Sequence, residues 1–101
     1  MIAVDVSYKT QKLKKTCTDA TACEKCYGPK MAVLIFKRIA EIQASPSVEF
    51  MIEYRLGRCH PLKNNRKGQY AVDLLHPYRL IFEKQGDVIQ IARIIEITDY
   101  H

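Results

Sequence analysis

The sequence contains no apolar run long enough to cross a bilayer, which takes roughly 18 residues. Its longest apolar stretch runs from Met31 to Phe36 and ends at Lys37 and Arg38. The N-terminus also lacks a basic segment followed by an apolar one, the pattern that marks a secreted protein. We therefore expect a cytoplasmic protein with no membrane partner.

The chain also lacks internal repeats, low-complexity tracts and any stretch with the composition of a linker. Its 101 residues fit one domain and leave no room for two. The hydrophobic content of 48% is normal for a globular protein and too high for a disordered one. We predict a single domain over residues 1–101.

Cysteine is present, but its spacing does not favour a structural zinc site. Cys23 and Cys26 form a C-x-x-C pair, while a zinc site needs a second close pair and only Cys17 and Cys59 remain. Because Cys17, Cys23 and Cys26 lie on a predicted helix, we expect them to be small core residues with free thiols. Zinc binding and a redox role are the alternatives.

The charge balance favours an anionic partner. Lysine and arginine number 16 against 11 aspartate and glutamate residues, which gives a net charge of +5 and an isoelectric point near 9.1. Nucleic acid is the commonest partner of such a protein. The charge alone is weak evidence, because many small basic domains bind no nucleic acid.

Periodicity predicts a strand followed by helices. Apolar residues alternate with others from Ile2 to Tyr8, as in a strand with one buried face. Lys9–Cys26 has helical spacing, and Gly28-Pro29 is a typical end of one helix and start of the next. The second helix is predicted over 30–44, with an apolar stripe of Ala32, Ile35, Ile39 and Ile42.

The C-terminal half predicts an antiparallel meander. Residues 47–57 are ambiguous: Ser47 could cap a short helix with Phe50, Met51 and Tyr54 facing inward. Strands are then predicted over 70–75, 78–83 and 88–97, with turns at His76-Pro77 and Gln85–Asp87. The order of elements indicates an α+β fold, with an N-terminal strand and a helical hairpin packed on one face of an antiparallel sheet. The other face is then free to carry a site.

Polar residues gather at the entry to the meander and at its exit. The entry is the segment Arg58–Gly68, which is dense in cations, and the exit is Thr98–His101. If the sheet brings the two together, they form a candidate site of His60, Lys63, Asp99, Tyr100 and His101, with Arg79 from the middle strand. RNA cleavage without metal needs a base for the 2′-OH, an acid for the departing 5′-oxygen and cations for the phosphate. Histidine, lysine, arginine and tyrosine supply these functions.

Each of these residues also has a structural interpretation. His60 before Pro61 could simply begin a strand, and the cations from Lys63 to Lys67 could form a solvated loop. The C-terminal residues could be a frayed tail. His76, in a tight turn, is predicted to be structural.

Several short motifs, in this order and spacing, resemble the HigB branch of the RelE-type toxins. They are Gly57-Arg58-Cys59-His60-Pro61-Leu62-Lys63, Arg66-Lys67-Gly68-Gln69-Tyr70, Pro77-Tyr78-Arg79-Leu80-Ile81-Phe82 and the closing Glu96–His101. The likeness covers the C-terminal half well, whereas the N-terminal half matches only in element order. Each motif alone is short and unspecific.

The resemblance implies the toxin of a type II toxin–antitoxin system, a ribosome-dependent endoribonuclease that cuts translated mRNA without metal or cofactor. It implies as partners the 70S ribosome, mRNA and a cognate helix-turn-helix antitoxin of the HigA type, with operator DNA bound only through that antitoxin.

Residue by residue, the resemblance implies that His101 and Asp99 share the acid–base chemistry and that Lys63 stabilises the phosphate. His60 and Tyr100 position the RNA. Further RNA-binding residues are predicted from the same motifs: Arg58, Arg66, Lys67 and Arg79.

Other functions remain open on the sequence. A ParE-like toxin shares the fold and poisons DNA gyrase, but such proteins generally lack the H-x-x-K and D-Y-H motifs found here. A non-catalytic module that binds nucleic acid or antitoxin and a zinc-stabilised adaptor are the alternatives of another class.

Overall fold

A short strand, β1 (Asp5–Tyr8), precedes the helices in a computed structural model that describes residues 3–99. Val4 is buried just before the strand, whereas Asp5 is exposed. Val6 and Tyr8 are partly buried and pack against the core, so the predicted inward face of the strand is confirmed for the described residues. Ile2 of that prediction lies outside them, as do Tyr100 and His101.

Asp19 divides the first helical region in two. The helices are α1 (Gln11–Thr18) and α2 (Ala20–Tyr27), so the prediction of one helix over Lys9–Cys26 is wrong. Asp19 has an extended backbone, and its Oδ1 accepts hydrogen bonds from the backbone N–H groups of Thr21 at 3.0 Å and Ala22 at 3.2 Å. An aspartate that caps a new N-terminus competes with helix continuation, and here capping wins.

The next helix, α3 (Pro29–Ala44), begins where the sequence predicts. Gly28 has φ +84°, a conformation that glycine adopts without steric cost, and Pro29 occupies the first turn. The stripe of Ala32, Ile35, Ile39 and Ile42 is buried. This helix and its amphipathic pattern are confirmed.

The ambiguous segment contains a short helix, α4 (Val48–Glu53). Ser47 caps it, since its Oγ accepts a hydrogen bond from the backbone N–H of Phe50 at 3.0 Å. Met51 is buried as expected, but Tyr54 is 61% exposed, so its predicted inward orientation is wrong. Tyr54 lies just past the last turn of α4, where its ring packs at a tilt against the ring of Phe50.

The meander supplies four strands of a five-stranded sheet in the order β1-β5-β4-β3-β2. Its strands are β2 (His60–Pro61), β3 (Gln69–Asp73), β4 (Tyr78–Gln85) and β5 (Ile91–Asp99), and each neighbouring pair is antiparallel. The predicted meander is confirmed. The predicted start of the last strand at Val88 is wrong, because Val88 and Ile89 are 80% and 65% exposed in the turn before β5.

Strand β1 makes the sheet mixed. It pairs in parallel with β5, with Asp5 opposite Ile91 and Tyr8 opposite Ile94. A parallel neighbour requires a crossover connection, which here begins with the helices. The α+β fold, with helices packed on the sheet, is confirmed, but the sheet is mixed where the sequence predicted an antiparallel one, because β1 joins β5 in parallel.

The two faces of the sheet differ in character. Leu80, Phe82 and Ile94 point toward the helices and join one buried core with α3 and α4. The residues that alternate with them lie on the opposite face, named the free face here because it points away from these helices: Ala71, Asp73, Arg79, Ile81 and Glu96. Ala71 and Ile81 are buried on this face, whereas Asp73, Arg79 and Glu96 are partly exposed. A register shift leaves Ile95 as an extra residue, because Ile81 lies opposite Glu96 while Phe82 lies opposite Ile94. This bulge keeps Ile94 in the core and turns Glu96 to the free face.

Candidate active site

Four strand ends meet at one end of the sheet. Asp73 closes β3 opposite Arg79 at the start of β4, and Arg79 lies opposite Thr98 near the end of β5. Since neighbouring strands in this region are antiparallel, the segment entering β2 at His60 lies at the same end. Predicted site residues from both halves of the meander therefore share one end of the sheet.

The first and last meander strands are not neighbours, however. His60 pairs with Ala71, which lies opposite Ile81, which in turn lies opposite Glu96. With roughly 4.8 Å per strand, β2 and β5 are about 14 Å apart. A substrate that contacts His60 and the end of β5 together must therefore span the free face.

Three arginines and a histidine line one open cleft at this end. The cleft has a volume of about 490 Å³ and is lined by Ile52, Arg55, Arg58, Cys59, His60 and Arg79. Arg58, His60 and Arg79 are predicted site residues, and the structure brings them together. Guanidinium groups bind phosphate oxygens through several N–H donors, so the cleft has the chemistry of a phosphate site.

A tight loop between α4 and β2 carries two of these arginines. Arg55, Gly57 and Arg58 all have left-handed backbones, with φ of 54°, 59° and 55°. Such a conformation costs a residue with a side chain about 1–2 kcal/mol. The short 3₁₀ turn Leu56–Arg58 within the loop puts Arg55 and Arg58 into the wall of the same cleft.

Asp73 lies between two cleft arginines. Its Oδ2 is 3.4 Å from Arg58 Nε, and its Oδ1 is 3.4 Å from Arg79 Nε. The Arg58 side chain is 80% exposed, whereas those of Arg79 and Asp73 are 30% and 25% exposed. One carboxylate thus contacts both guanidinium groups, although Asp73 itself does not line the cleft.

His60 is half-buried and held in one orientation. Its Nδ1 is 2.9 Å from the backbone carbonyl oxygen of Arg58. A carbonyl oxygen only accepts, so Nδ1 carries the proton and donates this bond. In the neutral ring, Nε2 then keeps a lone pair that can accept a proton from a ligand.

The remaining cations of the entry segment lie elsewhere. Lys63 and Lys67 are exposed and do not line the cleft. The Arg66 guanidinium already has protein partners: its Nε donates to Gln69 Oε1 at 2.7 Å, and its Nη2 pairs with Glu96. The predicted RNA-binding cations therefore divide into a cleft group and a loop group.

Of the C-terminal residues predicted as catalytic, Asp99 alone is described. It is the last residue of β5 and lies opposite Tyr78. Tyr100 and His101, also predicted as catalytic, lie outside the described residues.

Sequence reasoning missed Arg55 and Asp73. Arg55 lies in the ambiguous stretch before β2, where no motif marks it. Asp73 is one of the alternating polar positions of β3, a signal that gives its face but not its partners.

Three cysteines belong to the core. Cys17, Cys23 and Cys59 are buried. The predicted core position is confirmed for Cys17 and Cys23 and is wrong for Cys26, which is exposed. Burial raises the pKa of the Cys17 and Cys59 thiols to about 12. Within residues 3–99 no group of three or more histidine, cysteine or acidic side chains could hold a metal ion. No helix in the same range is long and apolar enough to cross a membrane.

Neither a protein-family model nor a curated protein matches the sequence. Solved structures share its fold, among them two bacterial toxins. A YoeB/ParE toxin from Agrobacterium tumefaciens gives a TM-score of 0.64 at 13% identity, covering 97% of this chain and 100% of that chain. YoeB from Staphylococcus aureus, a dimer, gives 0.62 at 19% identity, covering 97% of each chain.

At these identities the likeness establishes the fold alone. The chain has the α+β fold of the YoeB/ParE toxins, which confirms the predicted RelE-like architecture. Assignment to the HigB branch stays a prediction.

Proposed function

We propose that this protein is the toxin of a type II toxin–antitoxin system and that it cleaves mRNA on the ribosome by metal-independent acid–base chemistry. The observation that carries the proposal is the cleft that Arg55, Arg58, Arg79 and His60 line together. The YoeB/ParE toxin fold supports the toxin role, as do the motifs that resemble HigB.

The chemistry begins with a phosphodiester in the cleft. Removal of the ribose 2′-OH proton lets the 2′-oxygen attack the phosphorus, and the 5′-oxygen leaves with a proton from an acid. The phosphate gains negative charge as the bond to the 2′-oxygen forms. Arginines fixed beforehand around it stabilise that charge more in the transition state than in the ground state.

We assign the proton transfers to His101 and Asp99, following the resemblance. His60 positions the RNA. Because its Nδ1 donates to the Arg58 carbonyl oxygen, its Nε2 has a lone pair that can accept a hydrogen bond from the RNA. Lys63 stabilises the phosphate from the rim, and Tyr100 stacks on a base or binds a phosphate oxygen. Arg58, Arg66, Lys67 and Arg79 bind the RNA backbone, with Arg66 first having to release Glu96.

Partners follow from the same proposal. The protein acts on mRNA in the 70S ribosome and is neutralised by a helix-turn-helix antitoxin of the HigA type, which alone contacts operator DNA. It works in the cytoplasm.

Inhibition of DNA gyrase is the second candidate. The Agrobacterium neighbour carries the name YoeB/ParE, and ParE-like toxins act on gyrase without a catalytic set. The two functions make opposite predictions for the histidines, because a gyrase inhibitor does not depend on proton transfer.

The test is controlled expression in a bacterial host, with mRNA 5′ ends mapped after induction. We compare the intact protein with His60→Ala, His101→Ala and the matched control His76→Ala, whose side chain lies in the β3–β4 turn. We expect growth arrest and cuts inside translated frames for the intact protein and His76→Ala, and neither effect for His101→Ala. His60→Ala should cut at a reduced rate.

If all four proteins arrest growth and no RNA cuts appear, inhibition of DNA gyrase becomes the function to test. If soluble protein accumulates and none of the four affects growth or RNA, the enzyme proposal is wrong and a binding role replaces it.

A further inference from the structure

The sheet ends at β1, which pairs with β5 on one side and has no strand neighbour on the other side within residues 3–99. We propose that this open edge of β1, together with the start of α1, is a docking site for an extended, acidic segment of a partner protein, which binds as an additional strand. The inference goes beyond RNA cleavage and does not depend on it.

Hydrogen bonds along β1 show which of its backbone groups face outward. The N–H groups of Asp5 and Lys9 donate to backbone oxygens on the β5 side, at 3.1 and 2.9 Å. Backbone groups alternate in direction from one residue of a strand to the next. The N–H and C=O groups of Val6 and Tyr8 therefore point away from β5, toward the open edge.

The open part of the edge has a defined beginning. The N–H of Val4 also points outward, but it donates to the backbone oxygen of Ser45 at 2.9 Å, which closes the edge at that residue. Beyond it, the outward backbone groups of Val6 and Tyr8 have no hydrogen-bond partner within the part of the chain that the structure describes. Unpaired strand edges of this kind are where extended peptides add a strand.

A groove runs along this open edge. It has a volume of about 390 Å³ and is lined by residues 6–11 and Lys14, so β1 and the start of α1 form it together. We name it the β1 groove. A strand that pairs with Val6 and Tyr8 would lie in this groove, against the first turn of α1.

The β1 groove is positively charged. Residues 6–18 contain four lysines and no acidic residue. Of these lysines, Lys9 and Lys14 line the groove and are exposed, and neither has an ion-pair partner among residues 3–99. The first turn of α1 has no acidic side chain, the group that ordinarily complements the partial positive charge of a helix N-terminus. Carboxylates on an incoming strand complement the lysines and this helix end together.

The backbone groups of the edge favour a peptide over RNA. Outward N–H and C=O groups follow one another along β1, and a peptide strand offers acceptors and donors at the same repeat. A phosphate offers acceptors only, so it would leave the carbonyl groups of Val6 and Tyr8 unpaired. A second copy of this chain is disfavoured by charge, because its own β1 edge carries the same lysines.

The experiment titrates the intact protein with a short synthetic peptide in which glutamate and valine alternate. Two control peptides isolate the two parts of the proposal. One has glutamine in place of glutamate and lacks the charge, and the other has every backbone nitrogen methylated and lacks the N–H donors. Binding is followed by amide NMR, and hydrogen exchange is measured at the amides of Val6, Ser7 and Tyr8.

We expect the acidic peptide to shift the amide signals of Val6 and Tyr8 and to slow their hydrogen exchange. The Ser7 amide faces β5 and should keep its exchange rate. The methylated peptide should bind about tenfold more weakly, the effect of losing one or two backbone hydrogen bonds. The glutamine peptide should also bind more weakly than the acidic one, because it lacks the attraction to the lysines.

Matched lysine variants locate the charge effect. Lys9→Gln and Lys14→Gln should each weaken binding of the acidic peptide by about threefold, the effect of one exposed ion pair. Lys25→Gln changes the net charge equally at an exposed position on α2 outside the groove, and it should bind as the intact protein does. Equal weakening by all three variants would show that net charge, and not the β1 groove, attracts the peptide.

Further results would overturn the proposal. If the Val6 and Tyr8 amides do not respond to the peptide at low salt, the lysines only guard the edge against pairing. Equal binding of the methylated peptide would mean that no strand is added. If a 2′-O-methyl RNA shifts these two amides at lower concentrations than the acidic peptide does, the groove binds RNA. Shifts that depend on protein concentration without peptide would assign the edge to a second copy of the chain.

Discussion

Arg66 lies in the turn just before β3, and its guanidinium group pairs with Glu96 on β5. Because β4 lies between β3 and β5, this ion pair connects the start of β3 to β5 across the free face. Arg66 also donates to Gln69 at 2.7 Å. A residue predicted to bind RNA thus has a structural task in the absence of RNA. Its substitution should change stability as well as binding.

We predict that Arg66→Ala lowers the free energy of unfolding by about 1 kcal/mol, the upper range for a partly exposed ion pair. The side chains of Arg66 and Glu96 are 35% and 40% exposed, so solvent screens much of the attraction. Urea denaturation measures the change. Lys67→Ala, an exposed neighbour, is the control and should leave the unfolding midpoint within error. Equal stability of the two variants would show that the Glu96 contact contributes nothing.

Arg55 should matter for activity although no motif marks it. It lines the cleft beside His60 and Arg79, so Arg55→Gln removes positive charge where phosphate is proposed to bind. We expect mRNA cleavage to slow by about tenfold, the value of one charge-assisted contact. Lys12→Gln on the exposed side of α1 loses the same charge and should keep its activity. Equal loss in both variants would point to net charge rather than the cleft.

Gly57→Ala should be more destabilising than Gly68→Ala. Both glycines have positive φ, +59° and +91°, so each substitution adds backbone strain of about 1 kcal/mol or more. At Gly57 the new Cβ would also meet Arg38, which its bonds to Asp73 and Glu41 keep from moving aside, whereas at Gly68 nothing lies within 4 Å. Thermal unfolding of the two variants isolates this contact. A lower Tm for Gly68→Ala would contradict it.

One thiol should react in the folded protein and four in denaturant. In the folded protein at pH 8 we expect iodoacetamide to modify Cys26, which is exposed. Cys17, Cys23 and Cys59 should be protected because they are buried. Iodoacetamide labelling followed by mass measurement counts the modified residues. Rapid labelling of more than one thiol without denaturant would show that the core opens.

Alkaline pH should weaken the fold through the same cysteines. The pKa of Cys17 and of Cys59 is raised from 9.0 to about 12, so the folded state holds these protons more tightly than the unfolded chain does. Their contribution to stability is complete below pH 9 and is lost as the pH rises from 9 to 12. Urea titrations across this range check it. Cys59→Ala should reduce the alkaline slope, and an unchanged slope would exclude Cys59 as a cause.

Local patterns predicted the elements that local forces decide. Gly28-Pro29 places a helix boundary because glycine tolerates the positive φ found there and proline fixes a φ that suits the first turn of the next helix. Helix α3 follows its apolar stripe because burying that stripe drives its packing. The same reasoning failed at Asp19, where capping of α2 outweighed the helical spacing of its neighbours. It also failed at Val88, because an apolar β-branched residue was assigned to a strand although the turn extends to Gln90.

The candidate site was only half visible in the sequence. Sequence motifs identified Arg58, His60 and Arg79, because RNA binding and cleavage require cationic and proton-transferring side chains. The partners of these residues were hidden, because Asp73 and Arg38 belong to different elements and carry no motif.

The sequence by itself determined the order of strands and helices, the basic character and the residue types of the candidate chemistry. These properties depend on backbone preference, periodicity and composition, all of which are local. Only the tertiary structure decided that β1 joins β5 in parallel, that Arg55 enters the cleft and that Asp73 stands between Arg58 and Arg79. Those relationships depend on which distant surfaces bury each other, and Arg38 contacts Asp73 across 35 residues of chain for that reason.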